Sequence, residues 1–322
     1  MAFPNVSDII ATTIQSRTRR LADNVTKNNA LLSRLNQKGK IKTASGGNQI
    51  YQELTFAENS NAGWYSGYDF LPVGASDVLS AAEFDWKQSA VPVVISGLEQ
   101  LQNAGREQMI DLMEGRMGVA EATLANLISE GLYSDGTGSG GKEITGLDAA
   151  VPTDPTTGTY GGINRATAAN AFWRSTITDT GVASSSNIQN TMNTVWAGLV
   201  RGKDHPDLIL FDNGLWIVYV ESLQAQQRFN GTEVGDLGFP SIKFMHADVV
   251  LDGGIGGFMN TNTGFMLNTD YIHYRPHSAR NMVPLSPNRR YATNQDAEVQ
   301  IIAWAGNLTS SGAQFQGRME DT

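Results

Sequence analysis

Residues 96–131 carry the one pattern in this chain long enough to dictate an architecture. Apolar side chains recur at steps of three and four through Leu101, Met109, Leu112, Met113, Met117, Ala120, Leu124, Leu127 and Ile128, the signature of an amphipathic helix. Ser96-Gly97-Leu98-Glu99 fits a capping box, in which each polar side chain takes the other residue's backbone N–H. Gly131, after Glu130, stands where a left-handed C-cap is expected. At ~1.5 Å per residue the segment makes a rod of roughly 50 Å, about three times the usual globular helix. Its opposite face bears Glu107, Asp111, Glu114 and Glu121.

The segments before the rod are of two kinds. Residues 1–42 hold eight Lys or Arg, Arg17, Arg19 and Arg20 among them, against Asp8 and Asp23. That is a net of +6 in a chain that totals −9, so the remainder carries −15. A basic arm on an acidic body predicts electrostatic docking, onto an acidic neighbour or onto nucleic acid. Ile10, Ile14, Leu21, Val25, Leu32 and Leu35 recur at helical spacing, and Gly39 and Gly46-Gly47 close the arm. No Trp or Phe anchors that apolar face, so packing on a partner subunit is expected rather than binding to a membrane surface.

From residue 48 the period changes to two. Residues 51–56 alternate like a strand, and a second strand-like stretch returns through Phe84-Asp85-Trp86-Lys87 and Val91-Pro92-Val93-Val94-Ile95. Between them lies Gly63-Trp64-Tyr65-Ser66-Gly67-Tyr68-Asp69-Phe70. A two-stranded projection is marginally stable alone, and one so rich in aromatics is expected to lie on another molecule.

After the rod the chain reads as mixed. Residues 148–185 are Gly/Thr/Pro-rich with little periodicity and are expected to be loop. Residues 187–200 read as helix, 207–211 as a short buried strand and 216–229 as helix. Residues 242–245, 247–251, 264–268, 271–274 and 298–304 read as strands, and a polar tail is expected after them. The fold class is α+β.

Most chemistry is excluded or weakly supported. With no Cys, disulfides, thiolate catalysis and Cys-ligated metal have no donors. The N-terminus lacks the charged and apolar regions of a signal peptide, and no run of ~18 apolar residues is present to span a membrane. Gly136 to Lys142 matches G-x-x-x-x-G-K, but Glu143 replaces the Ser or Thr that would hold Mg²⁺, and a helix precedes it where the phosphate loop needs a strand. Gly253-Gly254-Ile255-Gly256-Gly257 follows a strand but lacks the dinucleotide-loop spacing. His273 and His277 stand four apart with Pro276 between them, which denies them one helical face. No serine nucleophile elbow is present, and Arg289-Arg290-Tyr291 is too small a basic spot for nucleic-acid recognition. Catalytic, metal and cofactor sites are not expected.

The order of parts, together with a set of short phrases, resembles the major capsid proteins of tailed bacteriophages, the Hong Kong 97-like capsid fold. The phrases are Ala62 to Asp69, Phe84-Asp85-Trp86-Lys87, Ile95 to Glu99, Leu132 to Gly136 with Gly141 to Leu147, and Phe265 to Tyr271. The resemblance implies an N-terminal arm over residues 1–50 and an extended β-hairpin E-loop over 51–96. It implies a peripheral domain with the spine helix over 97–187 and 259–322, and an axial domain over 188–258. It further implies self-assembly into pentamers and hexamers of an icosahedral head around double-stranded DNA, assembled in the host bacterial cytoplasm and ending in the virion. Implied partners are other copies, a scaffolding protein, portal and decoration proteins, and DNA held by loose contact, with no membrane. Interface residues are then expected at Arg17, Arg19, Arg20, Trp64, Tyr65, Tyr68, Phe84, Trp86, Glu107, Asp111 and Glu114. Gly105, Gly115 and Gly118 weaken the spine locally and serve either bending or close backbone packing. Three other readings stay open: an encapsulin-type nanocompartment shell, a hydrolase or NTPase using Lys142, and a monomeric carbohydrate-binding module.

Overall fold

The structure, a computed structural model, describes residues 29–102, 106–223, 241–252, 257–285, 290–291 and 296–321, with backbone alone at 100–102, 106–114, 241, 290, 291 and 298. The elements in chain order are α1 (Ala30–Gln37), β1 (Ile50–Thr55), β2 (Leu79–Phe84), β3 (Lys87–Ser96), α2 (Gly97–Gln102) and α3 (Arg106–Tyr133). There follow β4 (Thr159–Tyr160), β5 (Ile163–Asn164), β6 (Thr176–Asp179), α4 (Ile188–Leu199), β7 (Leu208–Phe211) and α5 (Asn213–Leu223). The last are β8 (Ser241–Phe244), β9 (Ala247–Leu251), β10 (Thr263–Leu267), β11 (Ile272–Pro276), β12 (Val283–Pro284), β13 (Arg290–Tyr291), β14 (Ala297–Ser310) and β15 (Gly317–Glu320).

The capping box forms at the start of α2. Ser96 N–H donates to Glu99 Oε2 at 3.1 Å and Glu99 N–H donates to Ser96 Oγ at 3.3 Å. Arg116 then reaches back from α3 and grips the same carboxylate with both terminal nitrogens, at 2.9 and 2.5 Å. The expected stripe buries Met117, Ala120, Leu124 and Ile128, but leaves Leu127 exposed. The helix does not stop at Gly131. It runs on to Tyr133, burying Leu132 and Tyr133, and Gly131 is absent from the left-handed residues among those described. A Cβ at Gly131 would lie 3.0 Å from Ile144, so this glycine lets the following turn pack close. The first left-handed glycine after the helix is Gly136, at φ +80°.

Two sheets hang from the rod. In one, the 14-residue β14 is the seam: β3 pairs along it from Ala297 to Gly306, while β11, β12 and β13 pair with its other edge. This is where the expected projection divides. The β1–β2 ladder ends at Ile50↔Phe84, and residues 87–96 belong to the sheet with β14. The second sheet has six strands in the order β6-β15-β10-β7-β9-β8, with α4 and α5 beside it. It joins β7, β8 and β9 to strands from well outside residues 188–258.

Two expectations fail here for one reason. The supposed loop over 148–185 supplies β6, which runs parallel to β15. The supposed polar tail is interior: Asn307, Thr309, Gln316 and Arg318 are buried. Their polar atoms are met by tertiary partners. Asn307 Oδ1 accepts from Thr145 N–H at 2.9 Å, Gln316 Oε1 accepts from Asn268 N–H at 2.9 Å, and Arg318 Nη1 meets Asp148 Oδ1 at 2.6 Å. A polar residue with its hydrogen bonds satisfied is not obliged to face water.

Candidate assembly surfaces

The β1–β2 ladder is a stalk for an exposed tip. Burial alternates along β1, with Ile50, Gln52 and Leu54 inward. The chain between the two strands, residues 56–78, is held by its own short-range bonds. Asn61 Nδ2 donates to Gly74 O at 2.5 Å, Ser60 N–H to Ser76 Oγ at 3.3 Å and Ser66 N–H to Asp69 Oδ2 at 2.9 Å. Trp64, Tyr68 and Phe70 are fully exposed, at 104, 104 and 101%, and Tyr65 at 67%. Water meets the whole of three aromatic side chains and about two thirds of a fourth, on residues 43–86 that hold six acids and no Lys or Arg.

Phe84 and Trp86, expected at the interface beside those tip residues, turn inward. Phe84 is 2% exposed and meets Tyr160 edge-on, with ring centroids 5.2 Å apart. Trp86 packs against the core, its Nε1–H donating to Gly47 O at 3.0 Å and its ring edge-on to His277. The register puts Phe84 on the same side as Ile50 and Leu54, at the foot of the stalk where the hairpin enters the body.

The described part of the basic arm docks on its own chain. Asn29 caps α1 by accepting from Leu32 N–H at 3.1 Å. Arg34 Nε lies 2.8 Å from Asp207 Oδ2 and its Nη2 3.3 Å from Asp248 Oδ2. Lys38 Nζ lies 3.3 Å from Asp207 and 3.1 Å from Asp270, and Lys40 Nζ lies 3.6 Å from Asp270. Backbone bonds of Lys42 to Tyr274 and of Ala44 to Pro276 lay the arm beside β11. Those cations are therefore engaged within the subunit. Arg17, Arg19 and Arg20 lie outside the described residues, as do the side chains of Glu107, Asp111 and Glu114, together with Gly105, residues 224–229 and 253–256, and Arg289.

The glycine-rich turn is filled by its own glutamate. Ser134 and Ser139 hydroxyls donate to Glu143 at 2.8 and 3.1 Å, and a Cβ on Gly138 would lie 2.3 Å from that carboxylate. A carboxylate inside the loop repels phosphate, and the loop follows a helix, so the phosphate-loop reading of Lys142 has no geometry to support it. His273 and His277 share β11 and its end, where only His273 is buried. Among the described residues no group of three or more His, Cys, Asp or Glu is arranged to hold a metal.

A second surface was not anticipated. Between β3 and α3 runs an apolar groove of about 460 Å³, lined by Val91, Pro92, Val93, Val94, Gly115, Arg116, Val119, Ala120 and Thr123. Val94 and Val119 are 45 and 68% exposed. Val119 stands off the apolar stripe of its helix and Val94 on the outward phase of its strand. Valines out of phase were the available sequence signal. Among the described residues, no atom from outside the helix backbone lies within 4 Å of where a Cβ would sit on Gly115 or Gly118, so close packing against those residues does not account for them.

No protein-family model and no curated protein sequence matches the chain. Solved structures do. The cyanophage A-1(L) capsid asymmetric unit aligns at a TM-score of 0.61 and 15% identity, over 88% of this chain and 90% of that one. The capsid of the native GTA particle aligns at 0.60 and 11%, over 90% of both chains. The capsid of Myoviridae phage XM1 aligns at 0.52 and 12%, over 89% and 92%. The chain thus has the Hong Kong 97-like fold of phage capsid subunits, along nearly its whole length.

Proposed function

We propose that this chain is a major capsid protein that self-assembles into the pentamers and hexamers of an icosahedral phage head. The observation that carries this reading is the pairing of a capsid fold, end to end, with a stalked tip of four aromatics that its own body does not cover. A monomer gains nothing from holding such side chains in water, whereas a subunit gains a large contact once a neighbour covers them. The head would enclose double-stranded DNA through loose contact, since an acidic body offers few cations for phosphate. Scaffolding, portal and decoration proteins would be the remaining partners, and the virion the final location. Arg17, Arg19 and Arg20 would serve contacts beyond the subunit, because Arg34, Lys38 and Lys40 already have partners within it.

Electron microscopy of the expressed full chain, alone and with its scaffolding protein, tests the reading. Shells, tubes or capsomer rings are expected. A chain that stays monomeric under both conditions would overturn it.

A further inference from the structure

We propose that the cavity beneath the C-terminal end of α3 binds a small neutral molecule that carries a carbonyl oxygen on an apolar body. Such binding is independent of whether the chain assembles.

The cavity lies where three parts of the chain meet. α3 packs against β3, and its last two turns supply Leu127, Ile128 and Gly131. β3 and β14 supply Ser89 and Trp304, which are direct partners in the antiparallel ladder, so their side chains share a face. The turn after the helix supplies Ile144. Lys87 Nζ ties that turn to β3 by donating to Gly141 O at 2.5 Å. The space measures about 260 Å³. That is many times the ~15 Å³ that a single water needs and just under the range of drug-sized sites.

What the cavity lacks is an acceptor. Trp304 is 1% exposed, and its Nε1–H has no hydrogen-bond partner among the described residues. Ser89 Oγ is buried and has none either. The hydroxyl of Tyr274, whose ring stacks on Trp304 with centroids 5.9 Å apart, comes near that N–H without taking its hydrogen. Buried polar groups in native proteins are paired as a rule, so two open donors on one face mark a place for an acceptor. A carbonyl oxygen has two lone pairs and can take both.

Charge fixes the rest. Lys87 and Lys142 stand around the cavity with Glu130 and Glu143, two of each sign. A helix C-terminus presents the negative pole of its dipole, which works against an anion. The open donors work against a cation. The other walls are apolar, from Leu127, Ile128, Ile144 and the indole ring. A compact neutral amide or ester meets all of these conditions. Once bound, it pins the end of α3, the glycine-rich turn and the seam sheet to one another.

ε-Caprolactam, a cyclic amide, is the probe. It is titrated into the full chain by calorimetry, and thermal unfolding is followed at rising probe concentration. Saturable binding at millimolar concentration or tighter is expected. The unfolding midpoint should climb with the probe, since a ligand of the folded state alone stabilises it. Ser89→Ala removes one donor and should weaken binding about tenfold. Ser89→Leu fills the cavity and should abolish binding while its midpoint without probe holds. Hexanoate, an anion of similar size, should bind at least about tenfold more weakly than the lactam. Heats of dilution alone overturn the site, as does undiminished binding in a folded Ser89→Leu. Equal affinity in Ser89→Ala overturns the role of the open donors, and decides the matter if Ser89→Leu does not fold. Hexanoate binding as tightly as the lactam overturns the neutral ligand.

Discussion

His273 is buried on β11 with Nδ1 lacking a hydrogen-bond partner among the described residues. Burial, then the nearby charges of Arg275, Lys40 and Lys42, lower its pKa from the ordinary ~6.5 to about 4. The folded state thus refuses a proton that the unfolded chain accepts. Stability from this group is complete above ~6.5 and is lost as pH falls toward about 4, by up to about 3 kcal/mol at ~1.36 kcal/mol per unit. Urea titrations at a series of pH values should show that decline, and His273→Gln should flatten it. Asp207 is the second residue with a sharp consequence. It is buried and holds Arg34, Lys38 and both the N–H and hydroxyl of Thr269. Asp207→Ala strands those donors, and a loss of about 3 kcal/mol is expected in chemical denaturation. Neither role was readable from sequence, where Asp207 was only the first residue of a short strand. Its partners lie 173 and 62 positions away.

Among elements, the spine was the most legible, because its cap and stripe are local and repeat every turn. Ser96 and Glu99 need only each other, and Met117, Ala120, Leu124 and Ile128 need only a period of 3.6. Its C-terminal limit was misread, since Gly131 is required by Ile144 across a turn and not by its own backbone. The same turn supplies a test. A Cβ on Gly146 would lie 2.4 Å from Leu132 O and 2.5 Å from Gly131 O, both main-chain atoms at the end of α3. Backbone cannot swing aside as a side chain can, so Gly146→Ala should cost about 1–3 kcal/mol and lower the thermal midpoint. The strands of the second half were found where large apolar residues run together, as in Leu208–Phe211 of β7 and Phe265–Leu267 of β10. They were missed where polar residues carry them, as in β6 and β15. In those strands, burial depends on partners such as Asp148 for Arg318, which no local pattern announces.

For the molecule as a whole, the body and the tip are separable. Residues 57–77 contact little beyond themselves, so replacing them with a short turn should leave the body's urea midpoint unchanged. The same variant should form no particles under the electron microscope. Loss of the fold instead would mean that the tip serves its own subunit. The candidate site was legible only in part. Trp64, Tyr65 and Tyr68, expected at an interface, are exposed on the subunit, because Gly and polar neighbours leave them no core to join. Phe84 and Trp86 share their composition but sit where the hairpin meets the body, and register, not residue type, turns them in.

The seam strand also governs when a subunit can exist at all. During synthesis, α3 and β3 leave the ribosome long before β14, and β15 must still insert between β6 and β10. Neither sheet can close until residues 297–320 have emerged. The groove, which needs β3 held in place by β14, is therefore not built on a nascent chain. Any contact that needs either closed sheet therefore waits for finished subunits.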